Sequence, residues 1–434
     1  MKRLLRLALS VAAGTVLVTG GATACTSPAG SGSVTILVAW TGAELTAFDN
    51  TVVRGFEARY PGTTVRVEST RALTTELDAD LQEGNPPDVA ALPSIGTIGQ
   101  YAAQGALKPL DGLVDPAAYG QPWQSLIRPL GNGRVYAVPV KADVKSLIWY
   151  DPQALKRAVP GFRAPATLAQ LQALTGQLAR AGESPWCLAL SSPPTSGWPG
   201  ADWIADLILA TDGPGVYQAW AAGRLPWTSP QVTRAWQQWN ALLGVGSADS
   251  VRPAAALGTA IGSLYPSAGG CSLSHGTLVD QGFPASAGYG TEYAFFPFPS
   301  GSGAIQVSAD FVGMFRATPA AENLVRYMTS TAAQRAWVSY PGADGFSPSS
   351  EVPSGAYPSA VTRSIAALLT SGRELCFGAA DAMPPELGAA FDHAVLWNLA
   401  QPSALSSLIL PDLDRVPATQ QSPPVVCGRP GLSH

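Results

Sequence analysis

The run from Val34 to Trp40 (VTILVAW) is short, apolar and rich in β-branched residues, the pattern of a buried strand. The period then changes. Leu45, Phe48, Val52, Val53, Phe56 and Tyr60 recur at helical spacing within Glu44 to Tyr60, which predicts an amphipathic helix ended by Pro61-Gly62. Thr64 to Val67 reads as the next strand, Leu73 to Leu81 as a second helix, Asn85-Pro86-Pro87 as a turn and Asp88 to Leu92 as a third strand. A βαβαβ beginning predicts a parallel sheet covered by helices.

Val135 to Trp149 is a long extended stretch interrupted by Pro139, and proline removes a ladder donor, so the segment reads as an edge or a crossing between lobes. Thr167 to Ala181 has helical spacing and Trp186 to Leu190 reads as a strand. Helices are predicted around 203–210, 216–222 and 231–243, strands at 293–298 and 304–307, and helices at 320–329, 332–339, 360–369, 385–399 and 404–410. The stretches 247–254, 265–276 and 341–358, rich in Gly, Pro and Ser, read as connections.

The amino-terminal segment has a different pattern, with Lys2, Arg3 and Arg6 before an apolar run from Leu7 to Val18 and small residues leading to Ala22-Thr23-Ala24-Cys25. That is the layout of an export signal over 1–24, and the apolar run is too short for a bilayer-spanning helix. The end of the segment resembles the lipobox of bacterial lipoproteins, which implies a lipid on Cys25 and a tether at 25–33; Ala22 departs from the leucine usual in that motif. An ordinary secretory signal is the other reading. Either places the protein outside the cytoplasm.

The formal net charge is −4, and three of the positive charges lie in the leader, so no basic stripe suggests a nucleic-acid partner. Charged residues make up 13%, well under the ~25% typical of soluble domains, yet no later apolar run is long enough to cross a bilayer. The chain left after Cys25 exceeds what one core usually accommodates, so two lobes are expected. Cys187, Cys271, Cys376 and Cys427 form an even set in an exported chain, which predicts disulfides of three possible connectivities. There is no CxxC pair, and His275, His393 and His434 show no ligand spacing, so no metal or other cofactor is expected.

The ordered set VAWTGAELTAFDNTVVRGFEARYPGTTVRVE, GNPPDVAALPSIGTIGQYAAQGALKPLD, VYAVPVKADVKSLIWYDPQAL, PWCLALSSPPTSGWPGADWIADLIL and FFPFPSGSGAIQVSADFVGMF resembles the extracellular sugar-binding proteins of ABC importers, of the maltodextrin- and α-glucoside-binding type. The resemblance runs through nearly the whole mature chain. It implies a two-lobed α/β fold of the periplasmic-binding-protein type (type II), each lobe a mostly parallel sheet flanked by helices, with a ligand cleft at the hinge. Carried onto this chain, one lobe takes 34–141 and 300–345, the other takes 142–299 and 346–420, and 421–434 is a tail. Lys141 to Val144 would then lie at a crossing beside the cleft. This division favours Cys187–Cys271, within one lobe, and Cys376–Cys427, which ties the chain end to the body. The implied partners are a carbohydrate, permease subunits and, through a lipid, the membrane, with the protein itself a monomer.

A sugar offers hydroxyls at its rim and an apolar C–H face, so its site needs planar polar groups and an aromatic ring; twelve tryptophans supply candidates. Trp40 and Glu44 leave the carboxyl end of the first strand, where open α/β sheets bind ligands, and read as a stacking ring and a hydroxyl acceptor. The competing reading is a core ring and a first-turn helix acid. Arg71 follows the second strand in the same way, or is a solvated loop arginine. Strand alternation sends Lys141, Asp143 and Lys145 to one side, either toward a ligand or into a structural ion pair; the family aligns a sugar-binding carboxylate with Asp143. Trp198, Asp202 and Trp203 place two rings and a carboxylate at a helix entrance, where Asp202 could equally be an N-cap. The resemblance adds Asp310, in SADFVG, and Phe391, whose other reading is helical core.

A binding protein that does no chemistry is the leading reading. A secreted glycosidase is the rival class, since carboxylates near tryptophans also describe hydrolase clefts. No GxSxG, HExxH or Walker lysine loop is present. A third reading keeps the fold but changes the ligand to a glycerophosphodiester or an amino sugar, with Arg71, Lys141 and Lys145 neutralising a phosphate. A sensor or adhesion lipoprotein without a transporter is a fourth.

Overall fold

The computed structural model describes residues 32–191, 193–244, 271–277, 283, 286–417 and 425–430. The leader, Cys25, most of the tether, the 247–254 stretch and most of the 421–434 tail lie outside the described residues. Among those described, no helix is long and apolar enough to cross a membrane.

Two sheets organise the chain. The larger runs β11 (Cys427–Gly428), β10 (Leu375–Phe377), β9 (Ile305–Met314), β3 (Val89–Leu92), β1 (Gly32–Val38) and β2 (Thr63–Ser69), with β4 (Ala137–Val144) also paired to β9. The smaller runs β6 (Ser184–Cys187), β7 (Cys271–His275), β5 (Leu147–Tyr150) and β8 (Ala294–Pro297). The expected parallel start is present, β1 lying parallel to β2 and β3. The rest is mixed rather than mostly parallel: β9 runs antiparallel to β3 and β4, and β5 runs antiparallel to β7 and β8. The reason is that β9 enters the larger sheet from the smaller one, against the direction of the strands already there.

The helix predicted over Glu44 to Tyr60 forms as Gly42–Phe48, a wide π-type turn at Asp49–Val53, and Arg54–Arg59, with Phe48, Val52 and Phe56 buried. The helices predicted at 203–210 and 216–222 join into one run, Trp198–Ala221, broken at Gly213 (φ 81°, ψ 176°) before Pro214. Three strands escaped the sequence reading, among them the two-residue β11. β7 falls inside the predicted connection 265–276, and β10 is a three-residue strand without periodicity. β9 also extends well past the predicted 304–307, through the polar Ser308-Ala309-Asp310, because it is flanked by β3, β4 and β10.

Pro139 sits on β4, whose one partner among the named strands is β9 and whose other bridge, Ala142 to Phe346, lies beyond the register shift between Pro139 and Lys141. β4 ends at Val144 and β5 begins at Leu147, leaving Lys145-Ser146 as the link between the sheets. Both residues of that link donate backbone N–H groups to the Gln306 carbonyl, and Phe298 donates to that of Ser146. The two crossings are thus stitched together. β10 and β11, which fall in the ranges 346–420 and 421–434 that the resemblance gives to the second lobe and to a tail, extend the larger sheet.

Cys187 is bonded to Cys271 across the parallel pair β6 and β7, and Cys376 to Cys427 across β10 and β11. The second bond closes a loop of sequence separation 51, for which chain entropy gives a stabilisation of about 4 kcal/mol. Replacing both Cys376 and Cys427 by serine should lower unfolding free energy by about that amount in a urea titration; a change under ~1 kcal/mol would show that the β10–β11 edge is held by its other contacts.

Candidate functional site

The chemistry-bearing side chains gather in two buried groups on either side of the Lys145-Ser146 link. In the first, Lys141 Nζ lies 2.5 Å from Glu44 Oε1, 3.2 Å from Asp143 Oδ2 and 3.8 Å from Asp310 Oδ2. The fold explains the convergence. Lys141 and Asp310 are register partners on β4 and β9, Asp143 is two residues along the same face, and Glu44 reaches in from the first turn of the helix after β1. A methyl at Gly345 would come within 2.4 Å of the lysine's Cε, so glycine there lets the stem pass.

In the second group, Lys145 Nζ lies 2.8 Å from both Asp202 Oδ1 and Asp381 Oδ2, and 5.4 Å from the centre of the half-buried Trp198 ring. Trp198, Asp202 and Asp206 recur every four residues and share one face of the Trp198–Ala221 helix. Asp206 accepts from Ser146 Oγ at 2.5 Å and pairs with His275 Nε2 at 2.7 Å, which anchors that helix to the interlobe link and to β7. Asp381 is positioned by Ser94, whose hydroxyl donates to its carbonyl, and Gly378 leaves room for its carboxyl and the Lys145 ammonium.

Burial opposes charge throughout, and the neighbours decide the outcome. Lys141 is held above its ordinary value because Asp143, Glu44 and Asp310 overcome the loss of hydration, and Asp202 and Asp381 do the same for Lys145. Burial raises Asp143 to about 7 and Asp202 to about 6 even against their lysines. Asp392, on the Pro385–Ala400 helix, is raised to about 8, first by burial and then by Asp381 and Asp202.

Several sequence expectations change in this light. Trp40 is not an open stacking face: its ring is 3% exposed, edge-on to Phe48 and Trp337, and its Nε1 donates to Asp310 Oδ2 at 2.7 Å. Trp203 is core, packed on Trp186, His275 and Phe298, and Phe391 is core among Trp220, Trp227 and Trp236. Lys145 parts from Lys141 and Asp143 because β4 ends one residue before it. Asp202 is no N-cap; Gly197 precedes the helix and Asp202 lies a turn inside. Arg71 is exposed and outside both groups. Glu44, Lys141, Asp143 and Asp310 do come together, as do Trp198, Asp202 and Lys145. Asp381 and Asp392 were missed. Asp381 follows the carboxyl end of β10, so the rule that flagged Glu44 would have flagged it had that strand been legible. Among the described residues no cluster suits a metal ion.

Residues 39–335 match the family described as bacterial extracellular solute-binding protein. The chain is 30% identical over 377 residues to the alpha-glucosides-binding periplasmic protein AglE of Rhizobium meliloti, covering 82% of this chain and 81% of that protein. It is 29% identical over 384 residues to the osmoprotective compounds-binding protein GgtB of Synechocystis, covering 84% and 89%. Among solved structures, a chitin oligosaccharide binding protein superposes with a TM-score of 0.72 at 18% identity, covering 88% of this chain and 98% of that one.

Two outcomes follow from the buried charges. Lys145→Met leaves Asp202 and Asp381 without their shared cation and should cost about 3–5 kcal/mol in urea unfolding; a neutral effect would mean that the two acids simply take up protons. Asp143, Asp202 and Asp392 are raised from 3.8 to about 7, 6 and 8, so the folded state binds more protons than the unfolded one between those values. Their contribution is complete below pH 3.8 and lost as pH rises toward 8, so the melting temperature of ligand-free protein should fall across that window, and less steeply in Asp392→Asn.

Proposed function

Because this chain belongs to the bacterial extracellular solute-binding protein family, we propose that it is the carbohydrate-capturing subunit of an ABC importer, closing two lobes on an oligosaccharide or α-glucoside and passing it to membrane permease subunits. The observation that carries the reading is the Trp198 ring, half-buried beside Lys145, Asp202 and Asp381 at the link between the lobes, with Lys141, Glu44, Asp143 and Asp310 on the other side of that link. A ring for the apolar sugar face and ionised groups for the hydroxyls meet where closure would bring them together.

Capture without turnover is the part of the proposal that separates it from a glycosidase. Each carboxylate of the two lysine groups lies against an ammonium, so the groups offer paired donors and acceptors suited to sugar hydroxyls. Lipidation of Cys25, tethering to the outer face of the membrane and a monomeric state complete the proposal; the Ala22-Thr23-Ala24-Cys25 segment supports the first two.

The test is thermal unfolding of residues 26–434 against trehalose, maltose, longer α-glucans, other disaccharides and glycerophosphodiesters, with product analysis. Binding to the native state alone should raise the melting temperature with one sugar class and leave that sugar intact. Hydrolysis, or stabilisation by the phosphodiesters alone, would overturn the reading. Trp198→Ala should weaken the sugar that binds by roughly tenfold or more in calorimetry.

A further inference from the structure

The two lysine groups are not electrically balanced. Lys141 is shared by Glu44, Asp143 and Asp310, and Lys145 by Asp202 and Asp381. Asp392 adds a carboxyl with neither lysine in contact, and among the described residues no other cation lies within ion-pair distance of these acids. Asp381 presses electrostatically on Asp310 as well as on Asp392, so one field spans both groups.

A second observation is independent of that surplus. The Asp202 side chain is only 4% exposed, and while its Oδ1 bonds Lys145, its Oδ2 has no hydrogen-bond partner. Asp392 Oδ1 is likewise enclosed and without one. Buried carboxylate oxygens are costly to leave unmade, so these two are acceptors awaiting a donor beside the Trp198 ring. Gly197, next to that ring, is packed so closely on the Asp392 backbone that a methyl there would come within 2.1 Å of its carbonyl oxygen, which keeps Asp392 against the start of the Trp198–Ala221 helix.

Resting on the carbohydrate reading above, we infer that the ligand carries a cationic group, a protonated amine on a sugar or cyclitol ring, seated against Asp392 and Asp202 beside Trp198. An ammonium supplies several charge-assisted donors to those oxygens, and the neighbouring aromatic face favours a cation. The same field repels phosphate, which removes the attraction that Arg71 and the lysines were expected to offer a phosphodiester: Arg71 lies outside, and both lysines are already engaged.

The experiment is calorimetry on the wild-type mature chain with disaccharides in three forms that differ in one substituent: hydroxyl, free amine and carboxylate. The amine should bind at least about tenfold more tightly than the hydroxyl form, the carboxylate should bind more weakly than either, and the amine's advantage should shrink with added salt. Asp392→Asn should narrow the ratio between amine and hydroxyl forms, and because the ratio is measured within one variant it does not depend on that variant's stability. Equal binding of the amine and hydroxyl forms would overturn the inference while leaving the carbohydrate reading intact. A free alkylammonium ion that binds as tightly as the amino sugar would overturn the carbohydrate reading and keep the cationic one; failure of every form to bind would sink both.

Discussion

Everything around the interlobe link depends on a buried ammonium held between two carboxylates. Lys145 belongs to neither sheet, yet it bonds Asp202 from one helix and Asp381 from a short helix after β10. Ions taken out of water are stable only when paired and hydrogen-bonded, so this lysine ties the two segments to the link. Next to it, Ser146 turns inward, donating to Asp206 and accepting from the Gln306 N–H, and Gln306 itself is fully buried. Tyr217 completes the network with a bond to the Phe377 carbonyl. A hydrogen-bonded polar joint of this kind gives the crossing strands a defined geometry without relying on apolar packing, which is nonspecific about angle.

The same constraint divides labour among the aromatic residues. Twelve tryptophans do not make twelve sugar platforms. Trp203, Trp220, Trp236 and Trp239 are almost entirely enclosed and build the second lobe's core edge-to-face. Trp40 is intermediate: its ring supports the first lobe while its N–H orients Asp310. Trp198 differs because it opens the helix that delivers Asp202, leaving its ring half-exposed over Lys145.

Disulfides consolidate the frame that carries these groups. Cys187–Cys271 joins neighbouring strands of the smaller sheet, and Cys376–Cys427 fastens a two-residue strand to β10, immediately before the turn that carries Asp381. A strand so short has little ladder of its own, so a covalent bond is an economical way to keep that edge in register.

The sequence by itself determined the first βαβαβ unit, the edge character imposed by Pro139 and the shared face of Lys141 and Asp143, because apolar period, proline chemistry and strand alternation are local properties. It also contained the order of segments that resembles the sugar-binding family. Tertiary structure alone decided which carboxylates share which lysine, since Glu44, Asp143 and Asp310 are far apart in the chain, as are Asp202, Asp381 and Asp392. It decided, too, that Trp203 and Phe391 are core and that Lys145 leaves the face of Asp143, because enclosure and strand endings depend on what packs against them. β7 and β10 were illegible for the same reason: strands this short are held by their neighbours, and the neighbours come from elsewhere in the chain.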